Sequence, residues 1–362
     1  MAHVFVTGFP GFLGSELVRR ILRRRGKPNV TCLVQSKFAA LAAARVEEIE
    51  HAHRGAARRI ALIEGDITSP ALGLGSRAKS VRDVTEIFHF AAAYDLSVSR
   101  EVGMKVNVDG TKHLLDFAAG CPALTRVQYV STCYVSGRWT GIFRESDLEK
   151  GQAFNNFYEE TKYLAEMDVR KRMAAGLPAT IYRPAVVTGD SATGETQKYD
   201  GPYYVLRWLL KQPTVAVLPV PGDPERTRVN LVPRDFVIDA IDALSTAATA
   251  SGKCYHLADP DPPTIDEAIR LMGEATGRMV VRVPMPARIA KAAIDHLPGV
   301  YRLLEIPSSV IDYYLHPTFY DTAQANADLG ELGIRCPRLA DYLPRLVDFM
   351  KRHPEIASGA MV

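Results

Sequence analysis

His3-Val4-Phe5-Val6-Thr7-Gly8-Phe9-Pro10-Gly11-Phe12-Leu13-Gly14 joins a strand-length apolar run to a glycine-rich turn and the first turn of a helix. Glycines at this spacing let the chain reverse tightly and bring backbone N–H groups close to a pyrophosphate. The amino end of the following helix then stabilises the anion. In that helix Leu13, Leu17 and Ile21 fall on one face beside Val18 and Leu22, the stripe of a helix packed on a sheet. Arg19, Arg20, Arg23, Arg24, Arg25 and Lys27 close it and read as a solvated face that complements the carboxyl-end dipole. The stretch predicts the first strand, turn and helix of a parallel sheet, with a dinucleotide site at the turn.

Moving outward, apolar runs of strand length recur at 3–7, 29–34, 60–64, 87–92, 127–131 and 179–183, separated by segments of helical periodicity. This alternation is that of an α/β, Rossmann-type doubly wound parallel sheet. After Arg183-Pro184 the texture becomes rich in Gly and Pro. Asn230 to Phe236 then opens another helix, and Cys254-Tyr255-His256-Leu257 reads as a strand returning to the sheet. We expect a dinucleotide-binding domain over 1–190 and about 225–260, and a smaller, mostly helical substrate lobe over about 191–224 and 261–362. Within 285–315 the apolar Ile289, Ala292, Ala293, Leu297, Val300, Leu303 and Leu304, among Arg288, Lys291 and Arg302, read as lobe core rather than as a lid for a greasy substrate or a membrane-surface helix.

At 362 residues and 47% hydrophobic composition the chain can bury one large core and a second lobe, which excludes a fibre or a disordered tail. A net charge of +3 with dispersed basic residues leaves no nucleic-acid footprint. Five unpaired, widely spaced cysteines suit a reducing compartment and no zinc site. The first strand begins too early for a leader, and no apolar stretch reaches the ~20 residues of a spanning helix. The expectation is a cytoplasmic protein, with peripheral membrane contact left open. His51 and His53 lie in a helical Ala-, Arg- and Glu-rich stretch and read as solvated rather than as metal ligands.

The chemistry is suggested by Tyr158 and Lys162, one helical turn apart, downstream of the strand ending in Ser131-Thr132. An unperturbed phenol has a pKa of about 10, so tyrosine works as an acid near neutrality only if its phenolate is stabilised. Lys162 on the same helix face is placed to lower that pKa and to hold a cofactor ribose. Thr132, with Ser131 as competitor, stands at the carboxyl end of a central strand, where it could orient a carbonyl. After the second strand stand Gln35, Ser36 and Lys37 with no carboxylate. Such a carboxylate would bind the 2′-hydroxyl of NAD, so NADP(H) is favoured, with NAD(H) still accepted.

With these elements in order, the chain resembles the extended branch of the short-chain dehydrogenase/reductase superfamily over nearly its whole length. Thr132-Cys133-Tyr134-Val135-Ser136-Gly137 fits the branch's catalytic hydroxyl segment, as does the spacing of 158 − 132 = 26 residues to the tyrosine. The resemblance implies that Asp66, next to Ile67, contacts the adenine amino group, and that Ala91, Ala92 and Ala93 form the turn against the nicotinamide ribose. It also implies that Asn107 acts more as a brace than as a catalyst. The strand end Arg183-Pro184, with Ala185, Val186 and Val187, would approach the carboxamide. Arg183 to Glu195, with Asn230-Leu231-Val232-Pro233 and Asp235, is similar to the RPxxVxGDSxTGE pattern of thioester reductases and fatty acyl-CoA reductases. That likeness implies reduction of a thioester-bound acyl group to an aldehyde or alcohol. Since 362 residues leave no room for a carrier domain, the thioester is expected from a separate molecule, coenzyme A or an acyl carrier protein. A homodimer is compatible with the same likeness.

Tyr94, Cys133, Tyr199 and Tyr203 are candidate substrate contacts, although the tyrosines of 199–204 fit a lobe core equally well. Competing readings are a dehydrogenase or ketoreductase for a lipid- or steroid-like secondary alcohol, and less favoured a nucleotide-sugar epimerase or dehydratase. A non-catalytic dinucleotide sensor would commonly lack the tyrosine or lysine that this chain keeps.

Overall fold

The structure, a computed structural model, describes residues 2–296, 308–315 and 318–357. The amino-terminal part runs β1 (His3–Thr7), α1 (Phe12–Leu22), β2 (Asn29–Val34), α2 (Ala39–Ala52), β3 (Ile60–Glu64) and β4 (Glu86–His89). A helical run follows, α3 (Arg100–Gly103), a π-helical turn (Met104–Asp109) and α4 (Gly110–Ala119), leading to β5 (Arg126–Val130) and the short β6 (Gly141–Phe143). Then come α5 (Phe157–Ala174), β7 (Ala179–Pro184), β8 (Val186–Thr188), α6 (Pro202–Leu210), β9 (Val215–Pro221), β10 (Leu231–Pro233), α7 (Arg234–Thr246) and β11 (Cys254–Leu257). The carboxyl-terminal part contains α8 (Ile265–Thr276), β12 (Met279–Met285), α9 (Ala287–His296), β13 (Thr318–Tyr320), α10 (Ala323–Glu331) and α11 (Leu339–Arg352).

Seven strands form one parallel sheet in the order β11-β7-β5-β4-β1-β2-β3. The order reverses between β1 and β4, and crevices open at such a switch point beyond the carboxyl ends of the strands. Its inner strands, rich in Val, Ile and Phe, are buried because helices cover both faces, whereas the edge strand β3 leaves Ala61 and Leu62 exposed. All the strand-length runs read from the sequence form sheet strands, but β4 stops at His89, short of 92. The backbone amide of Ala91 instead donates to Thr7 Oγ1 at 3.3 Å, and that of Ala93 to Asn107 Oδ1 at 2.8 Å.

The basic run that closes α1 is solvated in part, with Arg23, Arg25 and Lys27 exposed, while several of its members also make specific contacts. Arg24 pairs with Glu86 at 2.9 Å and Asp242 at 2.8 Å, Arg20 with Asp239 at 2.6 Å, and Arg23 donates to His53 at 2.7 Å. These contacts tie α1 to α7, β4 and the end of α2. A second core gathers α6, β9, α8 and α11 around Tyr203, Leu209, Ile269 and Tyr342. The expected lobe core at 285–315 is corrected in part: Ile289 is 57% exposed and Ala292 is exposed, while Ala290 and Ile294 pack against Ile311 with Met285 and Ala287 partly buried beside them. Leu297, Val300, Arg302, Leu303 and Leu304 lie outside the described residues.

Glu145, after β6, links distant segments. Its carboxylate accepts backbone N–H bonds from His256 at 3.0 Å, Gln324 at 2.8 Å and Ala325 at 3.1 Å. Among the described residues no helix is long and apolar enough to cross a membrane, and no group of three or more His, Cys, Asp or Glu could hold a metal ion.

Candidate active site

The turn between β1 and α1 fits a pyrophosphate on its own geometry. Gly8 has φ of +90°, and a Cβ there would lie 2.7 Å from the Phe90 carbonyl carbon and 2.8 Å from the Ala91 nitrogen. At Gly11 it would lie 2.8 Å from the Gly8 oxygen. Gly11 caps α1 without a side chain, so no side-chain acceptor occupies the amino end of the helix, where N–H groups attract an anion. Around the turn, Phe9 is buried and the Pro10 carbonyl accepts from Ser15 at 2.9 Å. The Arg234 guanidinium covers the Phe12 ring at 4.9 Å, Leu13 packs on the sheet core, and Gly14 is buried where a Cβ would lie 2.4 Å from the Gly8 oxygen. Thr7 is hydrogen-bonded at 2.7 Å to His89, whose other ring nitrogen meets Thr111 at 3.1 Å. Burial, helped by the positive charge of Lys162, pushes the His89 pKa down to about 3, so this ring is neutral.

At the adenosine end the segment after β2 meets two carboxylates, Glu64 at the end of β3 and Asp66 just beyond it. Gln35 is hydrogen-bonded to the Asp66 side chain, and Ser36 donates to Glu64 Oε1 at 2.6 Å. The Lys37 ammonium lies over the Phe38 ring at 4.9 Å. Burial raises the Asp66 pKa, but bonds from Thr68 and Gln35 and the nearby Lys105 outweigh it and hold the carboxyl below the usual range. Ile67 is buried against Gly110, where a Cβ would come within 2.8 Å. Asn107 bridges Ala93 and Thr161, joining the Ala91-Ala92-Ala93 turn to α5.

Thr132 and Tyr158 are hydrogen-bonded side chain to side chain beyond β5. The Ser131 hydroxyl instead donates to Glu166 at 2.7 Å, which leaves Thr132 as the hydroxyl facing the tyrosine. The expected contact between Lys162 and Tyr158 is not made. Lys162 Nζ donates to the Val130 carbonyl at 2.8 Å and to the Tyr129 hydroxyl at 3.2 Å, and it lies 4.7 Å above the Tyr129 ring. The Tyr158 pKa is accordingly not lowered: burial pushes it up to about 12, against the opposing pull of the Thr132 bond. Tyr158 is therefore a neutral phenol, a proton donor at rest. Burial pushes Lys162 down to about 8, with Glu166 acting the other way.

Several of the assigned residues have structural partners of their own. Arg183 is fully buried, bonded to Glu166 at 2.7 and 3.0 Å, and its Nη1 meets His256 at 3.0 Å. The amides of Ala185 and Val186 already donate to Leu257 and Asn230, and the backbone of Pro184 and Val187 lies in strand pairs. Cys133 is buried with its thiol on the Arg183 carbonyl, so it cannot line a pocket. Tyr199 donates to the His353 carbonyl at 2.8 Å and Tyr203 accepts from the Gly189 amide at 2.8 Å, both inside the second core. For these two, the packing reading replaces the substrate one. Tyr94 is 41% exposed, with the Lys198 ammonium 4.8 Å from its ring centroid.

Tyr129, His89 and Glu64 were not singled out from the sequence. Alternation along β5 puts Tyr129 on one face, but only the fold shows that this face holds Lys162. Removing the hydroxyl in Tyr129→Phe deprives the ammonium of an acceptor that favours its charged form. The alkaline limb of the activity profile should move to lower pH by about half a unit, while Tyr129→His, which restores an acceptor, recovers most of the shift. A pH–kcat series on the three proteins checks it.

Comparison with known proteins agrees with this geometry. The chain is 29% identical over 294 residues to a linear gramicidin synthase polypeptide of Brevibacillus parabrevis, covering 77% of this chain and 6% of that protein. It is 26% identical over 277 residues to a fatty acyl-CoA reductase of Drosophila melanogaster, covering 66% of this chain and 53% of that one. It thus spans only part of the length of each. The crystal structure of the terminal R domain of the myxalamid PKS-NRPS biosynthetic pathway superposes with a TM-score of 0.82 at 26% identity, over 98% of this chain and 91% of that one. Residues 6–241 match the NAD-binding family model described as male sterility protein, and the chain belongs to that family, built on the extended short-chain dehydrogenase/reductase fold.

Proposed function

We propose that the protein is a nicotinamide-dependent oxidoreductase that reduces an acyl thioester to an aldehyde, with the alcohol as a further product. The acyl group is carried on coenzyme A or an acyl carrier protein. The observation that carries this reading is the hydrogen-bonded hydroxyl pair Thr132 and Tyr158 at the open end of β5, in a chain whose relatives include a fatty acyl-CoA reductase. The bound dihydronicotinamide supplies a hydride. Thr132 and Tyr158 receive the thioester carbonyl oxygen, whose growing charge their O–H groups stabilise. Tyr158 then passes its proton to that oxygen. The resulting hemithioacetal collapses: its C–S bond breaks, the hydroxyl proton ends on sulfur, and aldehyde and thiol leave. Lys162, directed to the Val130 carbonyl and the Tyr129 hydroxyl, would hold the ribose side.

NADP(H) is the favoured donor because no carboxylate stands directly after β2, with NAD(H) accepted. A cytoplasmic enzyme is the setting these readings suit, peripheral membrane contact and a homodimer being compatible with it. The test follows NADPH and NADH oxidation together with free-thiol release over a panel of acyl-CoA chain lengths, with hydrophobic ketones for comparison. Thiol appearing in step with oxidised cofactor is the expected result. Turnover confined to ketones would overturn it in favour of a lipid alcohol dehydrogenase.

A further inference from the structure

The residue after β2 usually identifies the preferred dinucleotide, because a carboxylate there binds the 2′-hydroxyl and repels a 2′-phosphate. In this chain the residues directly after β2 are uncharged or basic, yet the fold brings a carboxylate to the same place from the neighbouring strand. Val34 and Glu64 are register partners at the ends of β2 and β3, and the Gly65 amide donates to the Val34 carbonyl at 3.0 Å. The Glu64 side chain turns from there onto Ser36 Oγ, 2.6 Å away. The hydroxyl best placed to donate to a 2′-phosphate is therefore already donating to an anion.

Its neighbours have contacts of their own. Gln35 is engaged by Asp66, the next acidic residue along the same segment, and Lys37 lies over the Phe38 ring. From these contacts we infer that Glu64 is a specificity-determining residue that acts against the 2′-phosphate and keeps NAD(H) usable. The inference rests on the reading of the β1–α1 turn as the dinucleotide site. A 2′-hydroxyl can donate to the Glu64 carboxylate, whereas a phosphate bonded to Ser36 would stand within two hydrogen-bond lengths of it. Like charges so close repel even near the surface, and salt screens the repulsion.

The test uses the full chain and adenosine probes, so that it depends on neither the acyl substrate nor turnover. Dissociation constants of 2′,5′-ADP and 5′-AMP are measured by calorimetry for the wild type and for Glu64→Gln. That variant keeps an oxygen that can accept from Ser36 and removes the charge. We expect 2′,5′-ADP to bind the variant about tenfold more tightly at low ionic strength, 5′-AMP to bind no more tightly and up to about fivefold more weakly as its 2′-hydroxyl loses a charged acceptor, and the 2′,5′-ADP gain to shrink in high salt. An unchanged or weaker affinity for 2′,5′-ADP, or an equal shift for both probes, would overturn the inference. If neither probe binds the wild type, the dinucleotide site itself is misplaced and this assignment falls with it. If the probes behave as expected while no thiol is released from acyl-CoA, the assignment of Glu64 stands and the thioester reading alone fails.

Discussion

Tyr158→Phe should lower kcat by about a thousandfold, within the range that a positioned general acid contributes. The reason is specific to this site. Tyr158 has its pKa pushed up to about 12 by burial and is hydrogen-bonded to Thr132, so it enters the reaction as an intact O–H aimed where the carbonyl oxygen is received. Phenylalanine fills the same volume, leaves the Lys162 contacts to Val130 and Tyr129 in place, and removes only the proton and one stabilising dipole. The variant should therefore melt within about 2 °C of the wild type and bind NADPH within about twofold. Single-turnover hydride transfer separates chemistry from product release. Retention of more than a tenth of the wild-type rate would show that the proton comes from elsewhere.

The largest effect on stability is expected beneath the site. Glu166 and Arg183 are both fully buried and form a bidentate pair, and the remaining carboxylate contacts go to Ser131 and Arg170. Removing one partner leaves a buried charge uncompensated, so Glu166→Leu should destabilise by about 3–5 kcal/mol, read in urea unfolding. The double change Glu166→Leu with Arg183→Met should recover much of that loss, since a buried pair replaced by apolar groups of similar volume is often neutral. The pH dependence has a definite sign. The Arg183 charge and its hydrogen bonds overcome desolvation and hold Glu166 down at about 2, below its ordinary 4.5. Its stabilising contribution is thus complete above about pH 4.5 and is lost as pH falls towards about 2. A single variant as stable as the wild type would mean that the pair is incidental.

The sheet was legible because each strand is a short apolar run bounded by turn residues, and because burial on both faces enforces that composition. The candidate residues Thr132, Tyr158 and Lys162 were legible from spacing along one strand and one helix. What stayed hidden depends on contacts between elements. Glu64 reaches Ser36 only through the register of β2 on β3, and Lys162 is directed to Tyr129 by the packing of α5 on β5. The shortened β4 reflects side chains of Thr7 and Asn107 that capture its backbone. The Arg183 to Glu195 segment is read most easily as a motif, yet its polar residues build a frame. Asp190 caps its own turn through Ala192 and Thr193, and Ser191 bonds Asp235 at 2.7 and 2.5 Å.

Glu145 also bears on how the protein is made. The donors that satisfy its carboxylate lie 111, 179 and 180 residues further along the chain, in β11 and at the start of α10. Emerging from a ribosome, the chain completes β1 through β7 and the Thr132, Tyr158 and Lys162 set well before those amides exist. Non-local contacts of this kind form late because loop closure must precede them. A nascent polypeptide that has not yet reached Gln324 thus holds the whole proposed chemistry while the edge of its sheet is still unfastened, and translation of α10 supplies the amides that fasten it.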